Sequence, residues 1–127
     1  MKEEEASPEE YRKAQEGMED DYVTLATLNE MLSSDNPPVV IDLRETLEPS
    51  DQKIEGSINI TMQNLVIENV EKAIAKKSTP IVLVCTQSFE MTRMVALTTY
   101  AYPTLKLMGY SSVKILSNWP ECLLESD

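Results

Sequence analysis

The sequence predicts an α/β fold: a five-stranded, mainly parallel sheet with helices on both faces. Two apolar runs, Val39-Val40-Ile41-Asp42-Leu43 and Pro80-Ile81-Val82-Leu83-Val84, have the near-continuous hydrophobicity of strands buried on both sides. Between and around them apolar residues recur at helical spacing. Strand and helix patterns alternate along the chain, the order that builds a parallel sheet with ligand sites at the carboxyl ends of its strands.

The elements follow in order. Ser7-Pro8-Glu9-Glu10 is an N-cap, a first-turn proline and first-turn acids, which predicts a short solvated helix up to about Gly17. Tyr22-Val23 is a short strand, and Thr24 caps a helix through Leu32 that buries Leu25, Leu28, Met31 and Leu32. Ser33 to Pro38 breaks the chain before the first long strand at 39–43. Ile58-Asn59-Ile60 is a third strand, and a helix from about Gln63 to Lys76 carries Leu65, Val66, Val70 and Ile74. The second long strand ends at Cys85. Helical spacing resumes from Met91 to Tyr102, Pro103 is expected to interrupt it, and a short turn then ends at Gly109, a good C-cap. Val113-Lys114-Ile115-Leu116 is the last strand, and a terminal segment holds Trp119, Leu123 and Leu124.

At 127 residues the chain fits one domain of ordinary size, and 42% hydrophobic residues supply a core without disulfides or metal. Residues 1–21 read as an acidic, solvated extension, with nine acids against three bases, and residues 22–127 as the folded domain. The net charge of −11 repels phosphate backbones and anionic membrane surfaces, which argues against nucleic-acid partners. No run reaches the roughly 20 apolar residues of a membrane span, and the start lacks the apolar core of a signal peptide. No membrane insertion is expected, and the default location is the cytoplasm; a mature exported chain would present the same acidic start. Two cysteines and no histidine exclude a disulfide scaffold, Cys-His and Ser-His catalytic pairs and imidazole metal sites.

The chemically informative feature is Cys85 at the carboxyl end of a buried strand, followed by the polar loop Thr86-Gln87-Ser88-Phe89-Glu90 and then Met91. In this geometry loop and helix N–H groups from Thr86 to Met91 can converge on the sulfur and favour a thiolate. An inert, packed cysteine is the alternative, because free cysteine is among the most buried residue types. Asp42, at the end of its own buried strand, suits bonding to neighbouring backbone N–H groups, and Arg44 suits an ion pair that braces the loop.

Here the residues resemble a known family. Val39 to Glu45 is similar to the Asp-x-Arg strand end of rhodanese-homology domains, and Lys53-Ile54-Glu55-Gly56-Ser57-Ile58-Asn59-Ile60 to the segment that follows it there. The strand ending in Cys85, Gly109-Tyr110 before Val113, and a late tryptophan, Trp119, come in the same order, so the likeness covers about residues 22–124. It implies a sulfurtransferase in which Cys85 carries a persulfide, taking sulfur from a small donor and passing it to an acceptor thiol, a protein or cyanide. It implies no metal or organic cofactor, and it makes Gly56 structural.

The departures from the family pattern are specific. Its active loops carry a basic residue, a glycine and an arginine or small polar residue where this chain has Thr86, Ser88 and Glu90. Glu90 opposes anionic donors, so polysulfide is expected to serve better than thiosulfate. Arg93 is the only cation between Cys85 and Lys106, placed to turn back to the sulfur or to pair with Glu90. The interval from Cys85 to Gly109 is longer than usual, and Tyr100 and Tyr102 within it are expected to pack. Ser117-Asn118 replaces the usual Gly-Gly, and Cys122 reads as a packing cysteine.

Three functions compete. A persulfide-forming sulfurtransferase or carrier is favoured by the retained cysteine, and a rhodanese-like interaction module without activity by the missing loop cations. A phosphatase on this fold needs an arginine six positions after the cysteine, where Met91 stands.

Overall fold

The computed structural model describes residues 7–45, 53–88 and 97–117 of the chain. Its strands are β1 (Tyr22–Val23), β2 (Val39–Asp42), β3 (Ile58–Asn59), β4 (Ile81–Val84) and β5 (Val113–Leu116). They form one sheet in the order β1-β5-β4-β2-β3, and every pairing is parallel. The helices are α1 (Pro8–Ala14), α2 (Leu25–Leu32), α3 (Ile67–Ala73) and α4 (Thr98–Leu107), with short 3-10 turns at Met18–Asp21, Met62–Asn64 and Thr86–Ser88.

The two-residue alternation of the strands divides the core into two layers. Ile41, Leu43, Ile81, Leu83, Val113 and Ile115 face α3 and α4, meeting Val70, Ile74, Ala101, Tyr102 and Leu105. Val40, Val82, Val84 and Leu116 face the opposite way and pack with Leu28 of α2. Because both sides of β2 and β4 are covered, polar alternation would be unfavourable there, which is why these strands read as continuous apolar runs.

Local chemistry sets the element ends. Ser7 and Glu10 form a reciprocal capping box on α1, and Thr24 caps α2 by accepting from Thr27 N–H. Gly56, at φ +85°, occupies a turn closed by Ser57 N–H donating to the Ile54 carbonyl at 3.0 Å. Gly109, at φ +103°, ends α4, with Gly109 N–H on the Lys106 carbonyl and Tyr110 N–H on the Leu105 carbonyl. This is the double bond of a Schellman cap.

Several expectations need correction. The predicted helix from Gln63 to Lys76 is shorter: the chain makes a 3-10 turn, runs extended at Val66 and starts α3 only at Ile67. Val66 N–H and Asn69 Nδ2 both donate to the Asn64 carbonyl, diverting it from a continuing helix. Val66 is consequently exposed, as is Leu25 on α2. Pro103 does not interrupt α4, which passes through it. The carbonyl its missing N–H would have bonded, that of Thr99, accepts Gln15 Nε2 at 3.3 Å instead.

The neighbouring carbonyl of Tyr100 accepts the Tyr11 hydroxyl at 2.9 Å. The acidic segment expected to be solvated thus lies against α4, although α1 buries none of its own residues. Asp21 continues the attachment, accepting from the Tyr102 hydroxyl and from Lys114 Nζ at 3.2 Å. Tyr102 packs in the core as expected, whereas the Tyr100 side chain is exposed. Residues 91–96 of the expected helical stretch, the terminal segment with Trp119 and Cys122, and Asn118 lie outside the described residues.

Candidate functional site

The strand order creates a switch point. From β2 the chain goes to the edge strand β3, while from β4 it goes the other way to β5. The loops leaving the adjacent β2 and β4 therefore diverge, and the crevice between them is where open parallel sheets hold ligands. Asp42 and Arg44 stand on one side of it and Cys85 on the other. Leu43 N–H, donating to the Val84 carbonyl at 2.8 Å, joins the two strand ends.

On the β2 side the carboxylate of Asp42 is 1% exposed and clasped by Arg44. Arg44 Nε and one terminal nitrogen donate to its two oxygens at 3.0 and 2.8 Å, and the Arg44 backbone N–H donates to Oδ1 at 3.0 Å. A pair two residues apart in a tight loop forms when both termini of the side-chain bridge are held by the same backbone turn, as here. Asn59 Nδ2 from β3 donates to the carbonyls of Asp42 at 2.7 Å and Arg44 at 3.0 Å, fixing the loop from its other side.

On the β4 side Cys85 is a free thiol, 3% exposed, at the residue after the strand ends. Ser88 fastens it. Cys85 N–H donates to Ser88 Oγ at 3.1 Å, Ser88 N–H donates to the Cys85 carbonyl at 2.9 Å, and the Ser88 hydroxyl donates to the Leu116 carbonyl at 2.7 Å. Ser88 is itself buried, so its hydroxyl is fully used inside the protein and ties the Cys85 turn to β5. Sequence reasoning placed Ser88 in a substrate-binding loop; its hydroxyl and N–H instead hold the loop, leaving its amide unavailable to the sulfur. Thr86 is half-buried in the same turn, which also contains Gln87. Phe89, Glu90, Met91 and Arg93 lie outside the described residues.

One nearby residue escaped the sequence reading. Tyr22 packs against the same core layer as Leu83 and Ile115. Burial pushes its phenol above the ordinary range, and negative charge on Cys85 and then Glu19 pushes it further. Only the pairing of β1 with β5, a contact across the whole chain, brings it to this corner, so no local signal marked it.

Among the described residues no cluster of His, Cys, Asp or Glu could hold a metal ion. No described helix is long and apolar enough to cross a membrane. A shallow groove of about 470 Å³ lies beside β3, lined by Ile58, Ile60 and Ala73 with Asn59, Asn64, Asn69 and Lys72.

The family model of the rhodanese-like domain matches residues 24–118. Among solved structures, the Alr3790 protein from Anabaena sp. is similar with a TM-score of 0.58 and 19% identity over 74% of this chain and 68% of that one. A Rhodanese_3-like domain of the same Anabaena protein aligns at 18% identity and a TM-score of 0.49, covering 66% of this chain and 91% of that one. The first of these likenesses speaks to the fold alone. No curated protein matches the chain.

Proposed function

We propose, from the premise that this chain belongs to the rhodanese-like domain family, that it is a sulfurtransferase or sulfur carrier working through Cys85. The observation that carries this reading is a free thiol at the carboxyl end of β4, beside the switch point, with its backbone clamped by Ser88. A fastened backbone and an unpaired sulfur suit a thiol that must be presented in one geometry.

In the first half-reaction the Cys85 thiolate attacks the outer sulfur of a polysulfide. The donor's S–S bond breaks, the shortened polysulfide leaves with the bonding pair, and Cys85 holds a persulfide. In the second, an acceptor thiolate attacks the outer sulfur, the Cys85 S–S bond breaks, and the pair returns to Cys85 as thiolate. The product is the acceptor's persulfide, or thiocyanate when cyanide is the acceptor. Sulfur moves without net oxidation, so no redox cofactor enters. Thr86, Gln87 and Ser88 form the turn beside which this happens, with Asp42 and Arg44 stiffening the facing loop; by sequence order Phe89, Glu90, Met91 and Arg93 follow as further candidates.

The 3% exposure of Cys85 favours a second reading, an inactive interaction module in which the thiol is only packed. Intact mass after incubation with polysulfide, with thiosulfate in parallel, separates the two. A gain of about one sulfur atom, reversed by cyanide or dithiothreitol and absent in Cys85→Ser, supports the carrier. An unchanged mass leaves the interaction module.

A further inference from the structure

We infer that the groove beside β3 receives an extended peptide from a partner protein, added to the open edge of the sheet, with alternating apolar side chains and a single acidic one. The inference stands apart from Cys85 and does not rest on sulfur transfer. β3 ends the sheet and, among the described residues, pairs only with β2. Ile60 N–H donates to the Asp42 carbonyl at 3.0 Å, so the main chain of Ile58 and Ile60 faces β2, and by alternation the N–H and C=O of Asn59 face away from it. Neither group has a partner among the described residues. A donor and an acceptor on the outer side of one strand residue are the complement of another extended backbone.

The groove next to that edge selects the side chains. Its floor is aliphatic, from Ile58, Ile60 and Ala73. Val66, 44% exposed, stands three residues before Asn69 and seven before Ala73, so it continues the same face at the start of α3. A strand laid in register beside β3 turns alternate side chains toward this layer, as Ile41 and Ile58 do across β2 and β3. The asparagines of the rim have their donors turned inward: Asn64 Nδ2 donates to Thr61 Oγ1 at 3.1 Å, Asn69 Nδ2 to the Asn64 carbonyl at 2.8 Å, and Asn59 Nδ2 to the Asp42 and Arg44 carbonyls. Their Oδ1 atoms are left as acceptors for peptide N–H groups. Lys72 is the only charged residue among those lining the groove, and within the described residues it has no ion pair, Glu71 being held by Lys77 at 3.0 Å. An ammonium beside an aliphatic floor calls for one carboxylate from the occupant. The net charge of −11 selects against more than one, because a polyacidic partner is repelled at long range, and for the same reason it weighs against a second copy of this chain.

A displayed library of random dodecapeptides is selected against the full chain, and the enriched peptides are synthesised and titrated into isotope-labelled protein followed by NMR. Expected are sequences that alternate apolar and polar residues and carry one Asp or Glu, with amide shifts concentrated in β3 and in α3 from Asn69 to Ala73. Ala73 and Lys72 are exposed, so folding tolerates changes at both. Ala73→Arg fills the groove and is expected to abolish binding. Lys72→Glu is expected to weaken it about tenfold, and a peptide whose acid is replaced by lysine should recover the loss. A selection that enriches nothing above an unrelated control protein overturns the inference, as do enriched peptides that bind Ala73→Arg as they bind the native chain. A concentration-dependent dimer dissociated by Ala73→Arg would give the edge to a second copy and overturns it as well.

Discussion

Ser88 holds Cys85 at both ends of one residue: its Oγ accepts the Cys85 N–H at 3.1 Å while its own N–H donates to the Cys85 carbonyl at 2.9 Å. The third bond, from the hydroxyl to the Leu116 carbonyl at 2.7 Å, makes the serine a pin between two strand ends. Ser88→Ala leaves a buried donor and a buried carbonyl without their partner. It is expected to destabilise the fold by about 2 kcal/mol, read from urea unfolding. Ser88→Thr, which keeps the hydroxyl, should recover part of that loss.

Asp42→Asn removes the charge that balances Arg44 in a site where the carboxylate is 1% and the guanidinium 10% exposed. A loss of about 3 kcal/mol is expected, because a buried ion pair loses one of its two charges. Replacing both residues together should cost less than the sum of the single changes, and a double-mutant cycle in denaturant measures the difference.

Gln15→Ala should destabilise by about 1 kcal/mol, since the Thr99 carbonyl loses its donor. In a Pro103→Ala background the residue at 103 has its own N–H to offer that carbonyl, so the same Gln15→Ala change should cost much less. Equal costs in the two backgrounds would separate Gln15 from the proline.

Alkaline pH should destabilise the protein through Tyr102. Burial first, then the hydrogen bond to Asp21 and the charges of Asp21, Glu19 and Asp20, raise its folded value well above the ordinary 10.0. A raised value in the folded state means that the native protein binds more protons than the unfolded chain once pH passes 10. The associated stability is intact below that point and falls above it. Stability curves between pH 9 and 11, compared with those of Tyr102→Phe, should show the decline flattened in the variant.

Glu90→Arg is expected to raise thiosulfate-supported thiocyanate formation, by up to about tenfold if roughly 1.4 kcal/mol of transition-state interaction is recovered. Cys85→Ser should abolish transfer from thiosulfate and polysulfide alike, and Cys122→Ser should leave both nearly unchanged. Initial rates at matched ionic strength decide, and efficient thiosulfate turnover by the native chain would defeat the charge argument.

The longer strands were legible because burial on two faces writes itself into consecutive residues, as in Ile81–Val84. The caps at Ser7, Thr24 and Gly109 were equally legible, being local hydrogen-bond chemistry. Cys85 could be placed because a strand end is a sequence feature. What was not legible depends on distant partners. Helical spacing counted Val66 toward a buried face, but Asn64 turns the chain before the helix begins. Pro103 looked like a break, since the side chain that relieves it comes from Gln15 at the far end of the chain. Ser88 looked like a loop residue free to meet a ligand, since its acceptor, the Leu116 carbonyl, is supplied by another strand.

The attachment of residues 11–21 to α4 also bears on how the molecule comes together and apart. Its side-chain bonds, with that of Asp21 to Lys114 of β5, link positions 81 to 93 apart in sequence, so the loops they close span well over half of the chain. Such contacts are made late, once the sheet has brought α4 into place, and in native-state fluctuations they are the ones expected to open first. A version trimmed to begin at Met18 would keep β1 for its sheet yet carry a proline-containing helix without the Gln15 side chain on the Thr99 carbonyl. Amide exchange in α4 would then be faster there than in the full-length chain, and a protease given brief access would cut the native protein between α1 and β1 before it reached the sheet.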